Sequence, residues 1–301
     1  MFVSFHITPK AVKWMLDSKG KEYLKSFKPI GCRDKETLEI LKRNNIEAYF
    51  SGCLTLTIGK MGGLITNKKT DEIIFCDSYY NISIKSILGI DGWNFSIWNL
   101  IITVIKERRF FRRIFYDFGY KHKMFNLKEN RIKKICKYIQ LAHFFNSYKT
   151  LFSKDLLRNA VYTTQWIEIN NKSDKELLID AEQLVRRYSK AKFIVTSRIH
   201  CALPSIGCET PVLFVTSEEL ESKDKTSVGG RLKGLSDFFN CISYSKNHKL
   251  VLCRNLKIKQ TDNYIGSDFI FENKDIYKEY RDNLINICKK YVKENQVVNE
   301  N

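Results

Sequence analysis

Short runs of β-branched and aromatic residues alternate with amphipathic helical stretches along most of this chain, which restricts it to an α/β architecture built on a parallel sheet. The alternation is clearest after Leu151. Residues 160–164 read as a strand, and Ser173 with Glu176 forms a capping box. The helix it opens carries Leu177, Leu178, Ala181, Leu184, Val185 and Tyr188 on one stripe. Phe193–Thr196 reads as a buried strand, followed at once by a short helix that Pro204 is expected to kink or limit. Thr210–Val215 is the next strand, and residues 275–293 form a closing amphipathic helix.

Towards the N-terminus, Phe2–Ile7, Phe27–Gly31, Glu47–Phe50 and Glu72–Cys76 read as strands. Pro9–Leu16 and Lys35–Asn44 read as helices, the second N-capped by Asp34. Trp93–Ile105 and residues 130–146 also have helical periodicity. These patterns predict two Rossmann-like halves. Residues 1–105 make a shortened N-terminal half and 106–150 a basic helical linker. Residues 151–255 make the C-terminal half, and 256–301 a tail whose helix crosses back between the halves.

Composition narrows the function classes. At 301 residues, 44% hydrophobic and 13% aromatic, the chain has enough apolar surface to exclude a mainly disordered protein. Its formal charge of +18 calls for an anionic partner, although lysine-rich composition alone would produce the same figure. Half of the excess lies in residues 106–137, which hold twelve basic and three acidic residues. Nine cysteines with no C-x-x-C pair indicate neither a disulfide framework nor a zinc site, and point to a reducing compartment. The N-terminal residues lack the pattern of a signal peptide. The longest apolar stretch, 95–105, is interrupted by Asn99 and falls short of the roughly 20 residues a bilayer span needs. A cytoplasmic protein is expected, with peripheral contact at the inner face of a membrane open to it.

Ser197-Arg198-Ile199-His200 is the element with chemical content. Ligands of open α/β sheets bind beyond the carboxyl ends of the strands. A helix that starts there turns its first backbone N–H groups towards an anion. Arg198 adds a planar fork for a carboxylate or phosphate, and His200 can deliver a proton near neutral pH. The plainer alternative is an arginine paired to a helix end and a histidine packed in the core. His6, at the end of the first strand, and Asp77, after 72–76, are weaker candidates. A core histidine and an Asx-turn are the structural alternatives for those two.

The stretch AKFIVTSRIHCALPSIGCETPVLFV, with VYTTQ before it and GGRLKGL after it, resembles the C-terminal half of the polysaccharide pyruvyltransferase family. FKPIGCRDKETLEILKRNNIEAYFSGCLTLT resembles the segment around that family's R-D motif. The likeness covers roughly 1–58 and 155–240, in the family's order. It implies a GT-B-like fold and transfer of the enolpyruvyl group of phosphoenolpyruvate onto two hydroxyls of a glycan. The product is a pyruvate ketal, as found in bacterial capsules and exopolysaccharides. It also implies that Arg198, Ile199 and His200 contact phosphoenolpyruvate, and the chemistry that donor needs makes His200 the candidate general acid. Phosphoenolpyruvate is a substrate, so no resident cofactor or metal is expected.

Two further cations suit a donor with both a carboxylate and a phosphate. Arg33 can act as a second clamp from the other half, its alternative being a structural pair with Asp34. Arg231 can bind phosphate from a glycine-rich loop, its alternative being a solvated loop cation. Two departures from the family pattern stand out. The chain begins directly in a strand, which predicts a shortened or truncated N-terminal half. Glu209 stands where the family has glycine at a helix end.

Two other classes compete. A GT-B glycosyltransferase using a nucleotide sugar would need a diphosphate- and ribose-binding loop with paired glutamates, which is not found. A non-catalytic basic binding protein would use Arg108, Arg109, Arg112 and Arg113, interleaved with Phe110, Phe111 and Phe115. The same spacing also makes an amphipathic helix that lies on a membrane or packs on the core. Expected partners are therefore phosphoenolpyruvate, a glycan free or linked to polyprenyl diphosphate, and an anionic membrane. Nucleic acid is not expected.

Overall fold

Neighbouring side chains of a strand point to opposite faces, and in the computed structural model this rule divides the larger sheet's core into two layers. The structure describes residues 1–61, 64, 68–78, 97–118, 131–165, 172–217, 232–244, 250–252 and 264–296. Five parallel strands and one antiparallel edge strand form that sheet. They are β3 (Ile73–Cys76), β4 (Val161–Thr163), β5 (Phe193–Thr196), β6 (Val212–Ser217), β7 (Asn240–Tyr244) and β8 (Leu250–Leu252), in the order β4-β3-β5-β6-β7-β8. A smaller parallel pair joins β1 (Ile30–Cys32) to β2 (Ala48–Phe50).

On one face of the larger sheet, Ile73, Phe75, Phe193, Val195, Leu213 and Val215 pack against helices. Those helices are α4 (Ile97–Lys106), α5 (Arg108–Phe118), α6 (Arg131–Tyr148) and α7 (Lys154–Asn159). On the other face, Ile74, Cys76, Ile194, Val212 and Phe214 meet α8 (Asp174–Lys190), α9 (Ile199–Gly207) and a 3-10 helix at Leu54–Lys60. Both faces of β3 and β5 are buried, as parallel sheets require. The described helices of the region read as a linker, α5 and α6, therefore pack on the sheet: Phe110, Phe111 and Ile114 of α5 lie in the core. The strand Ile73–Cys76, read as part of residues 1–105, sits inside this sheet between β4 and β5.

The smaller unit packs α1 (Val12–Met15), α2 (Ser18–Ser26) and α3 (Lys35–Arg43) on its strand pair. Ile7, Leu16, Leu24, Ile30, Cys32, Leu41 and Ile46 form its core. Each such aliphatic burial contributes about 1.5–3 kcal/mol. The expected strand Phe2–Ile7 is reduced to one parallel bridge, Phe5 with Cys32. Ser4 has φ 55°, which turns the chain out of extended pairing. Its N–H bonds Ser51 Oγ and its hydroxyl bonds the Gly52 carbonyl.

The closing helix α10 (Ile276–Gln296) joins the two units. Its Tyr280 ring touches Phe50 of β2 at 5.1 Å and Phe238 at 5.2 Å. A second junction needs glycine. A Cβ on Gly59 would lie 1.8 Å from the Gly207 carbonyl oxygen, so only hydrogen lets the 3-10 helix press on the end of α9. That helix runs through Pro204 to Gly207 rather than stopping at the proline. Glu209 just beyond it has the left-handed φ of 61° at which glycine is favoured. Its carboxylate accepts from Arg281 Nη1 of α10 at 3.2 Å, a gain that sets itself against the strain. Among the described residues, no helix is long and apolar enough to cross a membrane.

Candidate active site

The carboxyl ends of β3, β4 and β5 meet at one point, and hydrogen bonds of strand-end residues hold them there. Thr196 Oγ1 donates to the Cys76 carbonyl (2.8 Å) and accepts from Arg198 N (3.0 Å). Ser197 Oγ donates to the Asp77 carbonyl (2.6 Å). Asp77 N donates to the Thr163 carbonyl (3.1 Å), and Asp77 Oδ2 accepts from Gln165 N (3.0 Å). Asp77 has φ 43°, a left-handed turn that aspartate tolerates better than most residues. This turn keeps a carboxylate 3% exposed at the sheet's end.

Arg198 lies over that carboxylate, its Nε 3.8 Å from Asp77 Oδ2 and its side chain 49% exposed. It is also the N-cap residue of α9, which starts without a side-chain cap. The first turn of α9 also carries no acidic residue to offset the positive end of the helix dipole. His200 is exposed in the first turn of the same helix, and Ile199 between them packs on the core. The junction thus carries a guanidinium and a helix N-terminus, with an imidazole in the helix's first turn. Asp77 anchors Arg198 from beneath; with Gln165 already bonded to its oxygen, it is oriented as a support.

Below the site are packed thiols. Cys76 Sγ lies 3.2 Å from the Tyr188 hydroxyl, and burial pushes the neighbouring Cys201 thiol well above its ordinary value. A protonated Cys201 packs as a small apolar group and does not attack. The hydroxyls of Ser78 and Thr163, at the ends of β3 and β4, are buried and make no hydrogen bond among the described residues.

His6 and Arg33 belong to a second cluster, at the end of β1. The buried carboxylate of Asp34 caps α3 through Thr37 N (2.8 Å) and meets His6 Nδ1 at 2.7 Å and Arg33 Nε at 3.7 Å. The turn after the glycine-rich loop docks beside it: Lys35 N donates to the Lys233 carbonyl at 2.9 Å. Gly234 has φ 88°, and the Lys35 side chain fills the place of its missing Cβ. Arg231 lies outside the described residues.

The arginines of α5 are exposed, but the phenylalanines between them are not. Phe110 and Phe111 are in the core, and Arg113 Nη2 donates to the Ala160 carbonyl at 3.0 Å. The rings needed for base stacking at these two positions are committed to packing. Among the described residues, no group of three or more His, Cys, Asp or Glu side chains gathers to hold a metal.

The sequence reading placed Ser197 and Gln165 within longer motifs but gave neither a role of its own; they act through a hydroxyl and a backbone N–H. Their only sequence signal is that each directly follows a strand segment.

The fold is thus a largely parallel α/β sheet with a basic strand–helix junction at the carboxyl ends of its interior strands β3 and β5. The family model for polysaccharide pyruvyl transferase matches residues 3–219. The chain belongs to that family, and the match takes in both clusters described above. No curated protein and no solved structure matches it.

Proposed function

We propose that this pyruvyltransferase uses phosphoenolpyruvate as donor and ketalates two hydroxyls of a surface-glycan precursor in the cytoplasm. One observation carries the reading: Arg198 and His200 share the uncapped first turn of α9, with Arg198 anchored on buried Asp77. In this reading Arg198 grips donor carboxylate or phosphate. His200 gives a proton to the methylene carbon, and the electron-poor carbon that results is attacked by the first hydroxyl, whose proton returns to His200. Attack by the second expels inorganic phosphate as the C–O bond breaks, and the remaining hydroxyl proton leaves with phosphate or solvent. Arg33, steadied by Asp34, is the second clamp, and the smaller unit is the other half of a GT-B-like pair. The acceptor is a glycan, free or carried on polyprenyl diphosphate.

The test is phosphate release from phosphoenolpyruvate in the presence of glycan precursors. Release should require both substrates and fail in Arg198→Ala and His200→Ala proteins. Undiminished release in both variants would overturn the site. Consumption of a nucleotide sugar in place of phosphoenolpyruvate would overturn the donor.

A further inference from the structure

Helix α4 presents an apolar face to solvent. Ile97, Trp98, Ile101, Ile102 and Ile105 are all exposed, Trp98 by 73% and Ile105 by 69%. At 100° per residue these five span about 140° of the helix surface. Leu100, Thr103 and then Glu107 face the protein. A water-soluble surface scatters such residues singly, and a contiguous group marks a contact site.

Beside this stripe is a cavity of about 430 Å³. Ile102 lines it and also belongs to the stripe, so the two surfaces are continuous. Lys106, Lys149 and Lys154 line it as well, with the amides of Asn99 and Asn146. The acidic group there, Glu107, is engaged by Arg158 through Nε (3.0 Å) and Nη2 (2.7 Å). Burial and then the charge of Lys154 hold the Lys149 ammonium below its ordinary value, with Lys106 adding to the effect and Glu107 opposing it. Lys154 and Lys106 thus repel Lys149, which donates to Asn146 Oδ1 at 2.6 Å, and an anion in the cavity would relieve that repulsion.

We propose that this face docks on an anionic lipid bilayer, the α4 stripe entering the headgroup boundary and the lysine cavity receiving a lipid phosphate. An exposed tryptophan and isoleucines bordered by cations have the chemistry of an interfacial helix. Charge complementarity selects the bilayer over a second copy of the chain, since two such faces would bring lysines against lysines. The inference goes beyond the catalytic reading and does not depend on it.

Flotation of the full chain with phosphatidylcholine vesicles, with and without phosphatidylglycerol, tests it. Binding should need phosphatidylglycerol and weaken as salt rises. Trp98→Ser/Ile105→Ser and Lys106→Gln/Lys149→Gln/Lys154→Gln should each weaken it about tenfold or more, with melting temperatures near the parent's. The surface variant Arg109→Gln/Arg112→Gln should lose less. Phosphate release with a water-soluble acceptor should be unchanged in the Trp98/Ile105 protein, which separates this failure from that of the catalytic site. No binding at low salt would overturn the proposal, as would equal loss in the Arg109/Arg112 protein. So would self-association, seen by sedimentation, that disappears with the α4 substitutions while vesicle binding is absent.

Discussion

Two strand-to-helix junctions of this protein each carry an arginine, and they treat it in opposite ways. After β1, Arg33 precedes Asp34, whose buried carboxylate caps α3 and also meets Arg33 and His6. After β5, Arg198 itself occupies the N-cap of α9, and its carboxylate comes from Asp77 on the adjacent strand. At the first junction the helix end and the cations are answered by one local anion. At the second the helix end is uncapped and the arginine is half exposed, so the charge remains available to a ligand. In the proposed reading, an acid one strand away leaves Arg198 more open to a ligand than Arg33, whose side chain is 18% exposed against 49%.

The largest expected effect tests that contrast directly. His200→Ala should lower phosphate release about 10²–10⁴-fold, the usual range for a general acid. Arg198→Ala should fall in the same range, and Arg33→Ala should cost no more than about tenfold, the loss of a weaker charge-assisted contact. Equal losses at Arg33 and Arg198 in initial-rate measurements would erase the difference between the junctions.

The units bearing these junctions should also separate under acid. His143, buried in α6 over the larger sheet, has its value lowered by burial from 6.5 to about 4. Its folded value lies below its unfolded one, so the unfolded chain takes up the proton first. Stability should then be lost as pH falls from about 6.5 towards 4, by roughly 3 kcal/mol at most. Denaturant titrations across that window should show the loss, and His143→Gln should flatten it. Hydrogen exchange that opens the smaller unit first would instead place the acid response outside the larger unit.

A third measurement compares the two carboxylates. Asp34→Ala removes a cap and leaves buried partners unmatched, so it should cost about 2 kcal/mol or more in thermal unfolding. Asp77→Asn keeps a residue that tolerates the left-handed turn and should cost less than about 1 kcal/mol, while raising KM for the donor. A large stability loss in the Asp77 variant with unchanged KM would make both acids structural. The smallest effect is expected at Glu209→Gly. Relief of about 1 kcal/mol of backbone strain is set against the lost contact to Arg281, leaving a net change within about 1 kcal/mol.

Much of the larger unit was legible because its signals are local. Ser173 and Glu176 form the capping box the sequence predicts, and Phe193–Thr196 is the buried strand its residues describe. Helix α2 was not legible, since Leu24 is its one buried side chain. Strands β7 and β8 also escaped, being short and marked by no clear alternation. The segment 72–76 was correctly read as a strand, but its neighbours were not legible: its four apolar residues are buried on both faces between β4 and β5. At the site, Arg198 and His200 stood out by position after a strand, whereas the support from Asp77 and Gln165 did not.

The sequence by itself determined the elements and their caps, because propensity, alternation and capping act between residues a few positions apart. Family membership is written in the same local motifs. Only the tertiary structure decided how each arginine is paired and how far it is exposed. Electrostatic attraction depends on distance in space, and the acid that meets Arg198 arrives from a strand far away in the chain. The same holds for α4, whose apolar residues look like core in sequence and become a surface only because the sheet is covered by other side chains.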